Sequence, residues 1–125
     1  MTHEEQVAIG QAIAAAETGT SGRIAVRVLN ERSVDAFERA KAEFGRLGLH
    51  RHDGGNAALV LVAPNARKFA IIGDRALHER VGETFWNDVV AESQPYFARG
   101  ATTEGIIYAV GRLGEALHQH FALPA

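Results

Sequence analysis

Apolar and polar positions along the chain follow two rhythms. Near the start, Ile9, Ala12, Ile13 and Ala16 share one helical face, and Thr2 with Glu5 has capping-box spacing. The run "TGTSG" at 18–22 breaks that helix. In "RIAVRVL" at 23–29, Ile24, Val26 and Val28 lie on one side, which predicts a half-covered strand. Phe37, Ala40, Phe44 and Leu47 then predict a second helix with these four on its inner face and Gly48 as its stop. After the loop "LHRHDGGN", "AALVLVA" at 57–63 is apolar throughout, as a strand covered on both faces is. "PNAR" makes a tight turn, and "KFAIIG" at 68–73 is the next strand.

Residues 83–98 read as a helix with Phe85 and Val89 facing in and a bend or restart at Pro95. The last helix puts Ile106, Val110, Leu113 and Leu117 on one face. Gly105, Gly111 and Gly114 lower its helicity by about 1 kcal/mol each against Ala, and predict close packing on the sheet. The order is therefore α-β-α-β-β-α-α. A strand–helix–strand unit gives a parallel pair by right-handed crossover, and the short turn adds an antiparallel partner. The fold expected is a single-domain α/β/α sandwich over residues 1–125, with a small mixed sheet. The pattern leaves open whether the third strand is central or at the edge.

Composition narrows the function classes. The chain has 125 residues, 22% of them charged, with a formal net charge of −2 and no run of five basic residues. That gives no footprint for nucleic acid. Cysteine is absent, which excludes disulfides, thiol nucleophiles and Cys-based zinc sites. The start lacks the basic segment of a signal peptide, and no stretch is long and apolar enough to span a bilayer. These features predict a water-soluble, cytoplasmic protein.

The predicted topology brings three loops to one end of the sheet: "TGTSG" before the first strand, "HDGGN" before the second and "GDR" after the third. Asp53, Asn56 and Asp74 would converge there, with Thr18, Thr20 and Ser21 nearby and Arg75 the one arginine of the third strand at that end. An oxygen-rich set with carboxylates and no cysteine suits calcium or magnesium better than zinc. Asp74 is equally the residue type that ends a strand or caps the following helix, and Asp53 that of a turn. His50 with His52 and His118 with His120 lack the spacing of helical metal ligands and read as surface residues. No Walker loop, dinucleotide fingerprint or nucleophile elbow is present. Trp86 and Phe85 occupy adjacent positions, so one of them, Trp86, is a candidate partner contact, though core is the ordinary place for both.

The segments "TSGRIAVRV", "FGRLGLH", "NAALVLVAPNARKFAIIGDRALHERVGETFW" and "YFARGATTEGIIYAVGRLGEALHQHF" resemble, in order, the TPM domain family in its short, stand-alone bacterial form. The resemblance implies an α/β/α sandwich. It also implies divalent cation binding, notably calcium, known for some members, and the weak acid phosphatase activity attributed to plant relatives. Arg67, Gly73, Asp74 and Trp86 fall on family positions, and Asp74 is the one carried over as functional. Two positions depart from the family pattern: Arg23 stands where relatives often have an acid, and Gly55 where they have Arg.

Three functions follow from these readings. The first is a small binding or interaction module steadied by a divalent cation, held by Asp74 and Asp53 with support from Asn56, Thr20 and Arg75. The second is a metal-assisted phosphomonoester hydrolase, with the two aspartates as ligands and Arg75 as phosphate clamp. The third is a structural partner in a membrane-associated or stress-response assembly, with Trp86 or the Tyr96–Phe97 pair as its contact patch. No organic cofactor is implied by any of them.

Overall fold

Strand β2 (Ala57–Ala63) is the middle of a three-stranded sheet, and all seven of its residues are buried. Its side chains alternate between two apolar layers, which is why an unbroken apolar run was needed here. Ala58, Val60 and Val62 enter one core, and Ala57, Leu59, Leu61 and Ala63 the other. A computed structural model of the chain describes residues 1–124. Strand β1 (Arg23–Val28) lies parallel to β2, with Arg23 opposite Ala57. Strand β3 (Lys68–Gly73) lies antiparallel on the other side, with Gly73 opposite Ala58, and is therefore an edge strand.

Helices cover both faces, as the sandwich requires. One face carries α1 (His3–Glu17), α3 (Arg75–Ala98) and α4 (Thr102–His120), whose Ile106, Val110, Leu113 and Leu117 are fully buried. The other carries α2 (Ala36–Arg46) and a 3₁₀ turn at Leu49–Arg51. Thr2 and Glu5 form the expected capping box on α1.

Three local expectations are corrected. Of the four residues expected on the inner face of α2, Ala40 is buried and half-buried Phe44 packs against the core, while Phe37 is 56% exposed and Leu47 37% exposed; Ala36 and Glu43 are the further buried residues of this helix. The helix is rotated because small alanines allow close approach to the sheet and because Glu43 has cations waiting for it. The Glu43 carboxylate accepts from Arg46 at 2.7 and 3.1 Å and lies 3.3 Å from Arg27 Nε and 3.8 Å from Arg39 Nε. Next, the helix expected over 83–98 is present and starts after a break at Gly82, with φ 77 and ψ 170, which separates it from a short helix at 75–81; the restart expected at Pro95 does not occur. Pro95 and Ala91, whose carbonyl loses its helical donor to the proline, are both exposed, so solvent can serve that carbonyl.

Two of the three α4 glycines, finally, pack on helices and not on the sheet. A Cβ on Gly114 would lie 2.7 Å from Ala16 Cβ in α1, and one on Gly105 would lie 2.7 Å from the Phe97 ring in α3. Gly111 faces open space.

Candidate functional site

The three loops do meet at one end of the sheet, and hydrogen bonds join them. Asn56, at the entrance to β2, donates from Nδ2 to Ser21 Oγ at 2.9 Å. His52 Nε2 bonds the Ser21 carbonyl at 2.8 Å. The loop before β2 is also tied to the start of α3: Asp74 donates its N–H to the Ala57 carbonyl at 2.8 Å, and Leu77 donates to Gly55 at 3.2 Å. Gly55 has φ 64, and a Cβ there would come within 3.2 Å of Ala76 Cβ. The positive φ and the close approach of loop and helix therefore account for glycine at this position.

Asp74 is the N-cap of α3, in extended conformation, with Oδ1 accepting from Arg75 N–H at 2.8 Å. The cap reading of this residue is thus realised, and its second carboxylate oxygen remains available. Asn56 is fully buried, yet its Oδ1 has no hydrogen-bond partner. A buried amide oxygen without a partner carries a desolvation penalty that a ligand would relieve.

The other expected residues are placed as follows. Asp53 is exposed in the turn after the 3₁₀ segment. Thr20 is buried, and its hydroxyl serves its own loop, donating to the Glu17 carbonyl at 2.9 Å and accepting from Gly22 N–H at 3.2 Å. Arg75 extends into solvent, its side chain 89% exposed and 3.8 Å from Glu79. Among the described residues, no three His, Asp or Glu side chains gather closely enough to hold a metal ion. Of the expected oxygen donors, the structure joins two side chains directly, Asn56 and Ser21.

Two contributors were not legible from spacing. Half-buried Glu17 accepts from Ile24 N–H of β1 at 2.6 Å and pins α1 to the strand. His118 does comparable work, bonding the Thr18 carbonyl at 2.8 Å and the Gly114 carbonyl at 2.7 Å. His118 is at the surface, as expected, and His52 is half-buried; each also holds the segment leading into β1 through a backbone carbonyl.

Trp86 lies at the same end, across β3. Its Nε1 donates to His78 Nδ1 at 2.9 Å, and its ring covers Gly73 so closely that a Cβ there would sit 2.5 Å away. Together with exposed Phe37 it lines a shallow groove beside the β3 edge. Tyr96 stacks on Tyr108 and Phe97 against Phe69, with ring centroids 5.5 and 4.4 Å apart.

Residues 1–116 match the family model for the TPM domain. This chain belongs to the TPM domain family. Its fold is similar to the NMR structure of the BA42 protein from the psychrophilic bacterium Bizionia argentinensis. That match has 31% identity and a TM-score of 0.89, and covers 99% of this chain and 86% of that one. Two more distant NMR structures share the fold. The N-terminal domain of the cg2496 protein from Corynebacterium glutamicum matches at 14% identity and TM-score 0.75, over 99% of this chain and 78% of that one. The N-terminal domain of a P. gingivalis protein matches at 13% identity and TM-score 0.77, over 100% and 82%. No curated protein matches the chain. No helix of the TPM domain described here is long and apolar enough to cross a membrane.

Proposed function

We propose that this TPM domain is a binding module that takes a divalent cation, calcium in the first instance, at the loop end of the sheet. The observation that carries the reading is the buried, unpartnered Oδ1 of Asn56, set between the Ser21 loop and the loop bonded to Asp74. Asp74 and Asp53 supply the carboxylates, Asn56 the amide oxygen, and Ser21 a neutral oxygen. With only two carboxylates, the remaining positions fall to backbone carbonyls and water, a composition that calcium accepts more readily than magnesium does. The bound ion would supply charge that draws the three loops together.

A phosphatase reading gains less support from the geometry. His52 bonds the Ser21 carbonyl and not its hydroxyl, so it is not set to activate that oxygen, and Arg75 points away from the loops.

The test is thermal melting of the protein in calcium or magnesium, with Asp74→Asn alongside. Asn keeps an oxygen at the cap while removing the charge. A ligand that prefers the native state raises the melting temperature as its concentration exceeds Kd. The wild type is expected to gain several degrees in millimolar calcium and less in magnesium, and the variant to gain nothing. Identical curves for the two proteins would overturn the proposal.

A further inference from the structure

The two edges of the sheet are finished differently. Strand β1 carries Arg23 and Arg27, whereas β3 from Phe69 to Gly73 has neither a charge nor a proline, the features that ordinarily blunt an open edge. Asp74 N–H donates to the Ala57 carbonyl, and these two residues continue the register that sets Gly73 opposite Ala58. Bonded positions alternate in an antiparallel pair. Lys68, Ala70 and Ile72 therefore exchange bonds with β2, while Phe69, Ile71 and Gly73 turn their N–H and C=O groups outward. Among the described residues, no backbone group elsewhere in the chain bonds these three outward positions.

This edge is also the floor of a groove. Residues 71–73 lie between a wall from α2, with Phe37 and Lys41, and a wall from α3, with Trp86 and Glu83, around a concavity of about 380 Å³. Outward donors and acceptors in regular alternation are matched by an extended backbone and not by a helix. The walls decide against a second copy, because its β3 would bring the same two walls. Those would meet before the edges reached the ~4.8 Å spacing of paired strands. A lone extended segment passes between them. Its side chains would alternate, one set toward Phe37 and the other toward Trp86. Lys41 is paired with Glu38 at 3.0 Å, whereas Glu83 has only His78, at 3.9 Å. Charge thus favours basic residues on the Trp86 side, where their aliphatic stems can lie along the indole.

We propose that the β3 edge binds an extended segment of a partner chain as a fourth strand, its apolar residues against Phe37 alternating with basic residues against Trp86 and Glu83. Such binding needs no ion, and its test is run in chelator so that it stands or falls apart from the cation site.

The probe is a blocked hexapeptide, Lys-Val-Lys-Val-Lys-Val, titrated at constant ionic strength and followed by Trp86 emission and by amide hydrogen exchange. Saturable binding is expected, with the Ile71 and Gly73 amides exchanging at least about tenfold more slowly in saturating peptide. Two N-methylated versions, one blocked at the lysine amides and one at the valine amides, test the backbone pairing. A strand paired along one edge uses one set only, so one version is expected to lose binding at least about tenfold and the other to keep it. The version that loses it also gives the strand direction. Phe37→Ala, at an exposed position, is expected to weaken binding about fivefold and Glu83→Gln about threefold. Val7→Ala, on the exposed face of α1, leaves it unchanged. The same peptide with glutamate for lysine is expected to bind at least about threefold more weakly. No saturable binding, unaltered exchange at Ile71 and Gly73, equal binding of both N-methylated versions or of the glutamate peptide, or unchanged affinity in Phe37→Ala would each overturn the proposal. So would sedimentation of the free protein as a dimer with the Ile71 amide already protected, which would give the edge to a second copy.

Discussion

Asn56 Nδ2 donates to Ser21 Oγ across 2.9 Å, while Asn56 Oδ1, equally buried, has no partner. One half of the amide joins two loops, and the other half accepts no bond. Truncation separates the two roles. Asn56→Ala is expected to destabilise the protein by about 1–3 kcal/mol, through the lost bond and the void left behind. It is also expected to abolish the stabilisation by calcium. Ser21→Ala orphans Nδ2 and should lower stability comparably, yet leave part of the calcium response, because Oδ1 remains. Urea denaturation with and without calcium distinguishes the two.

Asp74 combines a cap with a charge, and two substitutions pull these apart. Asp74→Ala removes the acceptor for Arg75 N–H and is expected to lower stability by about 0.5–2 kcal/mol even in chelator. Asp74→Asn keeps a capping oxygen, so it should cost a few tenths of that in chelator and show its full effect only when calcium is added. Equal loss from both variants in chelator would mean that the charge acts on folding directly.

Strand–helix–strand order, the all-apolar β2 and the capping box at Thr2 are local or short-period signals, and they were legible because each residue's environment repeats along the chain. The convergence of the loops was legible too, since strand direction alone brings the ends together. What spacing does not reveal is a contact made across elements. Glu43 lies beside Ala40 and Leu47 at the border of the apolar stripe, where its charge alone predicts exposure, and its burial depends in part on Arg27, sixteen places earlier on β1. Phe37 shows the converse: its apolar character fits the stripe, but alanines on the neighbouring face let α2 approach more closely. His52 and His118 find carbonyls in one loop that has no sequence proximity to either.

The carboxylates make acid sensitivity a further measurable consequence. Glu43 is held below its ordinary value of 4.5, chiefly by hydrogen bonds from Arg46, against the opposing effect of burial. Glu5 is lowered to about 2, chiefly by the Thr103 hydroxyl that donates to it at 2.6 Å, with the capping-box amide of Thr2 next. Both groups bind protons more weakly in the folded protein than in the unfolded chain. Their stabilisation is therefore complete above about pH 4.5 and is lost as pH falls, for Glu5 through about 2. Glu43→Gln leaves three guanidinium groups around a neutral amide and is expected to lower stability at pH 7 by about 1–3 kcal/mol. The variant should also lose less stability than the wild type between pH 5 and 3, which denaturation at the two pH values measures. Thr103→Val should raise the Glu5 titration midpoint toward 4.5, read by NMR of the side-chain carboxyl.

Trp86 is the sole tryptophan, and its contact with Gly73 gives the loop end of β3 an optical reporter. A Cβ at residue 73 would stand 2.5 Å from the indole and 3.2 Å from Leu77 Cδ2, so the ring has to move. It has somewhere to go, because the groove toward Phe37 is open on its outer side. Gly73→Ala is therefore expected to fold, with stability lowered by about 1–3 kcal/mol from overpacking. Displacement also breaks the Nε1 bond to His78 and brings the indole into water, so emission should shift to the red and quenching by iodide should increase. Residue 73 immediately precedes Asp74, whose N–H is fixed to Ala57, and that bond does not involve the indole. Calcium should accordingly stabilise Gly73→Ala by the same increment as the wild type. A variant with displaced Trp86 and no calcium response would show instead that the aromatic cover and the cation site are mechanically coupled through β3.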